Sequence, residues 1–181
     1  DLVLLGVPTR GVPLARRRQG NAESRFEYDG LGRLARVTDL AAGATNRDVR
    51  YVWADFMLAE ERDVSGSNVV KRFHRQGVQV LSGANSGVFF YARDHLGSVR
   101  ELLDSSGTLR RRYAYDAWGR RNAVAGTVDA DMGFTGHLTH AATGWALAPY
   151  RAYDPDLGRW LSRDPLDERE GFNLYAYVGN D

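Results

Sequence analysis

The hydrophobic positions along this chain fall in short runs, and almost none of them repeats with a helical period. Val69–Phe73, Val78–Leu81, Val88–Tyr91, Val99–Leu103 and Leu109–Tyr115 are five such runs, rich in β-branched and aromatic residues. Each is bounded by Gly, Asp, Asn or Ser, the residues that close turns, so the pattern predicts many short strands joined by tight connections. Asp104-Ser105-Ser106-Gly107 reads as a four-residue hairpin loop between two of them, with the glycine free to take positive φ. No stretch keeps a 3.6-residue period over three turns, and the 20 glycines are spread along the chain, which disfavours long helices. Helix is expected only in a short piece around Arg47–Arg62. Near the start, Leu2–Leu5 is apolar, and the run Arg16-Arg17-Arg18 reads as a solvated loop between strands rather than a basic contact patch.

A repeated unit organises the pattern. Tyr28-Asp29-Gly30-Leu31-Gly32-Arg33 returns as Tyr115-Asp116-Ala117-Trp118-Gly119-Arg120, and again, one residue longer, as Tyr153-Asp154-Pro155-Asp156-Leu157-Gly158-Arg159. Arg93-Asp94-His95-Leu96-Gly97-Ser98 is a degenerate copy, and Trp53-Ala54-Asp55 reads as the eroded head of another. An aromatic residue enters, Asp accepts hydrogen bonds from the turn, Gly relieves the bend, and Arg opens the return strand, where it can pair with an Asp or a carbonyl. Hairpins repeated in this way stack side by side into an extended sheet.

Composition narrows the functional classes. Of 181 residues, 43% are hydrophobic and 26% charged, in the range of a folded domain. The formal net charge of +1 lacks the basic excess of a nucleic-acid binder, so no nucleic-acid partner is expected. No apolar run approaches the roughly 18 residues of a helical membrane span. With no cysteine, disulfides, thiolate metal sites and thiol catalysis are excluded. Of the 24 basic residues only Lys71 is lysine, which fits a GC-rich gene and also a use of arginine for its planar, many-donor fork.

The repeats resemble the tyrosine–aspartate (YD) repeats of the Rhs family, and the resemblance sharpens after Phe90. Tyr91-Ala92-Arg93-Asp94-His95-Leu96-Gly97-Ser98-Val99-Arg100 looks like the opening of the Rhs repeat-associated core. Phe134-Thr135-Gly136-His137, Thr143-Gly144, Arg151-Ala152-Tyr153-Asp154-Pro155, Leu157–Pro165 and Asn173–Val178 follow in the core's order. The resemblance implies an all-β fold of stacked antiparallel hairpins forming a shell, with the core as its end plug. It divides the chain into an unassigned connecting segment over 1–24, YD-repeat-like hairpins over 25–90, and the core over 91–181. It implies the C-terminal core of a bacterial polymorphic toxin, secreted or at the cell surface. There it would encapsulate a downstream toxin domain and support its autoproteolytic release. The implied partners are the remainder of the shell, that toxin domain and a secretion apparatus. The alternative is a non-cleaving adhesion or carbohydrate-binding module of the same architecture. The sequence departs from the core pattern at Asp167, where a glycine is common, and at His140, where many members have an acidic residue. The family's second D-P-x-G motif, near which cleavage falls, is not in this sequence.

The resemblance makes Asp164 the leading catalytic candidate, with Arg151 placed to hold a carboxylate or polarise a carbonyl, and Asp154 as the local second carboxylate. Aspartyl hydrolysis needs two carboxylates close enough to share a proton, one acting as base toward water. Asp-Pro also starts turns, which is the competing reading of Asp154 and Asp164. Neither a cofactor nor a metal is expected: of the histidines only His137 and His140 have ligand-like spacing, and zinc needs three or four converging ligands. No nucleophile elbow and no phosphate-binding glycine loop is present. Trp53, Trp118, Trp145 and Trp160, with nine tyrosines, could stack sugar rings, though in a repeat sheet aromatics usually serve cross-strand packing.

Overall fold

A turn built around one aspartate recurs along the chain and sets its architecture. In four copies, at Asp29, Asp94, Asp104 and Asp116, Oδ1 accepts the N–H two residues on: Leu31 at 2.9 Å, Leu96 at 3.1 Å, Ser106 at 3.0 Å and Trp118 at 3.0 Å. The same oxygen accepts the N–H four residues on, from Arg33, Ser98, Thr108 and Arg120, at 2.8–3.0 Å. The third residue after the Asp is glycine each time, Gly32, Gly97, Gly107 and Gly119, with φ of 79–86°, a region a side chain enters only with strain. The Asp N–H and the carbonyl four residues on close the loop. Asp104 thus belongs to the repeat, although its flanks lack the Tyr and Arg that mark the Asp29 and Asp116 copies.

The structure is a computed structural model and describes residues 2–4, 14–163 and 173–177. Two compact units divide between Val88 and Phe89. In the first, β1 (Leu2–Leu4), β2 (Leu14–Gln19), β3 (Ala22–Tyr28), β4 (Leu34–Ala41), β5 (Ala44–Ala54), β6 (Met57–Arg62), β7 (Val69–His74) and β8 (Gly77–Val80) form an antiparallel meander, each strand paired with the next. Two sequence expectations are corrected here. Arg16–Arg18 lies within β2, paired with β1 on one side and β3 on the other, and is not a loop. The helix expected around 47–62 is instead the β5–β6 hairpin, turned at Asp55-Phe56. The partners of its residues lie across strands: Arg36 grips the Asp48 carboxylate with two N–H groups at 2.7 and 2.6 Å, and Trp53 Nε1 donates to the Leu34 carbonyl at 2.6 Å. Alternation puts Tyr51 in the core and leaves Val52 exposed, a period of two.

That alternation separates two kinds of surface. Phe26, Val37, Tyr51, Phe73 and Val78 are buried. In the same rows, Ser24 donates to Asp39 at 2.7 Å, and Arg47 donates to Tyr51 Oη and to the buried Glu61, each at 2.8 Å. Lys71, the single lysine, stands 3.5 Å from Glu61 as its second cation. The neighbouring positions carry Arg36 between Glu27 and Asp48, and Glu60 between Arg62 and Arg72.

The second unit begins within β9 (Gly87–Arg93) and continues through β10 (Val99–Asp104), β11 (Leu109–Tyr115) and β12 (Arg121–Gly126), again antiparallel in chain order. Val99, Leu102 and Tyr113 are buried beneath them. The chain then recrosses: Val99 N–H donates to the Gly133 carbonyl, and a short 3-10 turn over Phe134–Gly136 leads into a small antiparallel sheet. That sheet is β13 (Leu138–Thr139), β14 (Ala146–Leu147), β15 (Ala152–Asp154) and β16 (Arg159–Trp160). The five strand runs expected from the sequence are β7 to β11. Among the described residues no helix is long and apolar enough to cross a membrane.

The aspartate loops make acid stability predictable. In the longer loop at 63–68, hydrogen bonds from Ser65 and Asn68 hold Asp63 down to about 2, and those from Ser106 and Thr108 hold Asp104 below its ordinary value. A carboxylate depressed in the folded state contributes stability that is present above its unfolded pKa and is lost as pH falls through the folded one. Urea midpoints should therefore decline from about pH 4 toward pH 2. Asp63→Asn combined with Asp104→Asn, which retains the turn-forming shape, should flatten that acid limb; an unchanged limb would count against it.

Candidate functional site

The small sheet is assembled around one aromatic cluster. Tyr153 on β15, Trp160 on β16 and Ala146 on β14 are buried together, with Phe134 and Tyr177 packed against them. The Tyr153 and Tyr177 ring centroids lie 4.6 Å apart, Tyr153 meets Trp160 edge-on at 5.8 Å, and Phe134 stands about 6 Å from Tyr115, Tyr153 and Tyr177. Such geometries add stabilisation beyond the area buried. Burial pushes the Tyr153 hydroxyl up to about 12, with the Tyr177 ring and nearby carboxylates adding to it, so it stays protonated as a donor. It donates to the Trp118 carbonyl at 2.8 Å, and Tyr115 Oη donates to the Val99 carbonyl at 2.8 Å.

Thr135 is the strained member of this region. Its φ is +46°, in the left-handed region that a β-branched side chain rarely enters. Two contacts hold it: its N–H donates to Ser98 Oγ at 3.0 Å, and Tyr177 Oη donates to Thr135 Oγ1 at 3.1 Å. Backbone strain of this kind persists only where the surroundings over-determine it. Here the clamps join the Asp94 loop to the stretch 173–177.

Of the predicted site residues, Asp154 lies on β15 and Arg151 is the residue immediately before that strand. Asp154 ends β15, is buried, and has both carboxylate oxygens in use: Oδ2 accepts from Trp145 Nε1 at 3.0 Å and Oδ1 from the Asp156 N–H at 2.9 Å. Arg151 immediately precedes β15, and its guanidinium carbon lies 4.2 Å from the Trp160 ring centroid. Asp164 and Asp167 lie outside the described residues. His137 packs edge-on to Trp160 at 6.3 Å, and burial pulls its pKa down. His140 is buried and shares a 2.8 Å hydrogen bond with Thr143. Among the described residues no three His, Asp or Glu side chains converge as metal ligands would. Sequence reasoning missed Trp145 as the partner of Asp154 and Tyr177 as the clamp on Thr135. Neither has a local signal, because the pairs lie 9 and 42 residues apart.

Comparison with known proteins gives the setting. The family model described as the teneurin YD-shell matches residues 67–181. The double-stranded DNA deaminase toxin A of Burkholderia cenocepacia is 28% identical over 190 residues, covering 90% of this chain and 13% of that protein. The toxin protein Tse5 of Pseudomonas aeruginosa is 33% identical over 93 residues, covering 51% of this chain and 7% of that protein. The solved Tc holotoxin pore of Photorhabdus luminescens superposes with a TM-score of 0.69 at 21% identity, over 98% of this chain and 9% of that one. The chain therefore spans roughly a tenth of the relatives it matches, and the structural likeness is one of fold.

The Trp145–Asp154 pair is open to a direct test. Trp145→Phe keeps a ring but removes the N–H, taking from a buried carboxylate oxygen its indole donor. It should cost about 1–3 kcal/mol in denaturant unfolding. Pairing it with Asp154→Ala, which removes the acceptor, should cost less than the sum of the two single variants, since each already breaks the same bond. Strict additivity would dissolve the pair.

Proposed function

The chain belongs to the teneurin YD-shell family, and from that premise we propose that it supplies hairpin wall and end plug to a toxin shell that encloses a downstream toxin domain and supports its release by self-cleavage. The observation that carries this reading is the run of aspartate-turn hairpins passing directly into a small sheet with its own aromatic core. Toxin names among the relatives, each matched over a small part of its length, support a role for the chain as one part of a larger toxin. The partners are then the rest of the shell, the enclosed domain and a secretion apparatus, in a protein that is secreted or held at the cell surface.

In the cleavage step, Asp164 acts as base toward water, which adds to the scissile carbonyl beyond the core. Arg151 orients a carboxylate or meets the negative charge developing on the carbonyl oxygen, and Asp154 is the local second carboxylate. The C–N bond breaks, its nitrogen takes a proton, and a carboxylate and an amine are left.

The test uses a longer protein in which a D-P-x-G motif follows this core. Expression should give two fragments, read by gel electrophoresis and intact mass. Asp164→Asn should leave one uncut chain, because the amide keeps the shape but cannot take a proton from water. Arg151→Ala should slow or stop the cut. Asp55→Asn, in the β5–β6 turn, should cut normally. Complete cleavage by Asp164→Asn would return that residue to an ordinary turn.

A further inference from the structure

Trp160 stands where the small sheet meets Arg151. It is buried, on β16, and directly opposite Tyr153 on β15. Arg151, two residues before Tyr153, therefore falls diagonally across from it, within reach of a long side chain. The contact follows: the Arg151 guanidinium carbon lies 4.2 Å from the Trp160 ring centroid, a distance reached over the face of an indole and not at its rim. The backbone on both sides is fixed. The Arg151 carbonyl accepts from the Ala148 N–H at 2.9 Å, the Trp160 N–H donates to the Tyr175 carbonyl at 3.0 Å, and the Leu161 N–H donates to the Ala152 carbonyl at 2.8 Å.

The ring itself has little freedom. Tyr177 lies 5.6 Å away, Tyr153 5.8 Å and His137 6.3 Å, with planes inclined by 48–71° to that of Trp160. None of these three rings lies flat on the indole, whereas the Arg151 guanidinium is over its face. Arginine is held differently elsewhere in this protein: Arg36 donates two N–H groups to the Asp48 carboxylate. Such a partner occupies the fork and neutralises its charge. An aromatic face attracts a cation through its quadrupole, and indole does so most strongly. It leaves the charge uncancelled and takes few of the five N–H donors.

We propose that Trp160 is a positioning residue for self-cleavage: its face holds the Arg151 guanidinium where it orients a carboxylate or meets the charge developing on the scissile carbonyl. This role rests on the cleavage reading given above, in which Arg151 serves the reacting groups. Trp160 acts through Arg151, by the negative potential of its face and not by its bulk. An arginine without such a hold samples many rotamers, and the reaction has to wait for the productive one. A ring that keeps that rotamer populated removes the wait from the barrier. Packing alone would need only the size of the side chain, so the electron density of the indole separates the two roles.

The experiment uses a longer protein in which a D-P-x-G motif follows this core, made by cell-free translation so that gel electrophoresis can time the cut. Tryptophans carrying one to four ring fluorines are placed at position 160, where they keep nearly the shape of indole while draining its face of negative charge. The cleavage rate should fall stepwise along the series, by about three- to thirtyfold at its end, with the denaturant midpoint little changed. Trp160→Phe, which retains a π face, should cut faster than Trp160→Leu. The same fluorinated series at position 53 should cut as the parent does. A rate constant to within about twofold along the position-160 series, with Arg151→Ala still impaired, would overturn the positioning role and leave the cleavage reading standing. If the parent is not cut, or if Arg151→Ala cuts as fast as the parent, the cleavage reading falls and the role of Trp160 falls with it.

Discussion

An aspartate oxygen that accepts two backbone N–H groups across a reversing chain is the interaction on which this protein is built. A hairpin loop of this length leaves donors without strand partners, and a buried or half-buried donor left unpaired costs as much as a lost hydrogen bond. The Asp29, Asp94, Asp104 and Asp116 loops meet that requirement identically, with glycine at the one position where φ near +80° is unavoidable. Because each loop closes on itself, it does not depend on its neighbours. What varies between copies is free for other uses: the arginine after Gly32 returns to its own Asp29, whereas Arg120 reaches both Asp116 and Asp156, 36 residues away.

Electrostatics in the first unit follows from the same strand geometry. Opposite faces of a strand alternate, so every second side chain joins one row across the sheet. One set of rows mixes apolar residues with Ser24, Asp39, Arg47, Glu61 and Lys71, and there Glu61, nearly buried, is served by an arginine and by the only lysine. Burying a carboxylate is tolerable only with such partners. Arginine suits the remaining pairs because a fork can hold a carboxylate at two points, as Arg36 holds Asp48.

Much of this was legible in the sequence, and the limits have physical causes. Strands β7 to β11 could be read from alternation and turn residues because hairpins are local objects. The β5–β6 region was misread because Arg, Asp and Glu crowd it and dilute the apolar alternation, which only cross-strand pairing explains. Arg16–Arg18 looked like a loop because three adjacent arginines carry no alternation at all, and pairing on both sides makes a strand of them. The candidate site was less legible. The D-P signature pointed to Asp154 and the aromatic motifs to Tyr153, yet nothing nearby in the chain announces that Trp145 supplies the donor or that Tyr177 clamps Thr135. Those facts belong to chain crossings.

The bonds that tie the small sheet to the loops of the second meander also set an order in time. Tyr153 to Trp118, Arg120 to Asp156, Thr135 to Ser98 and Tyr177 to Thr135 join residues 35, 36, 37 and 42 positions apart. The meander hairpins close within a few residues of each aspartate. Short closures form quickly, while distant ones wait for the chain that separates them to be ordered. The hairpins are therefore ready acceptors before the aromatic cluster exists, and the strained Thr135 is set last, when Tyr177 arrives. A chain emerging from its N-terminal end would raise the meander first and fasten the small sheet onto it afterwards. The far stretch at 173–177 then acts as the clasp.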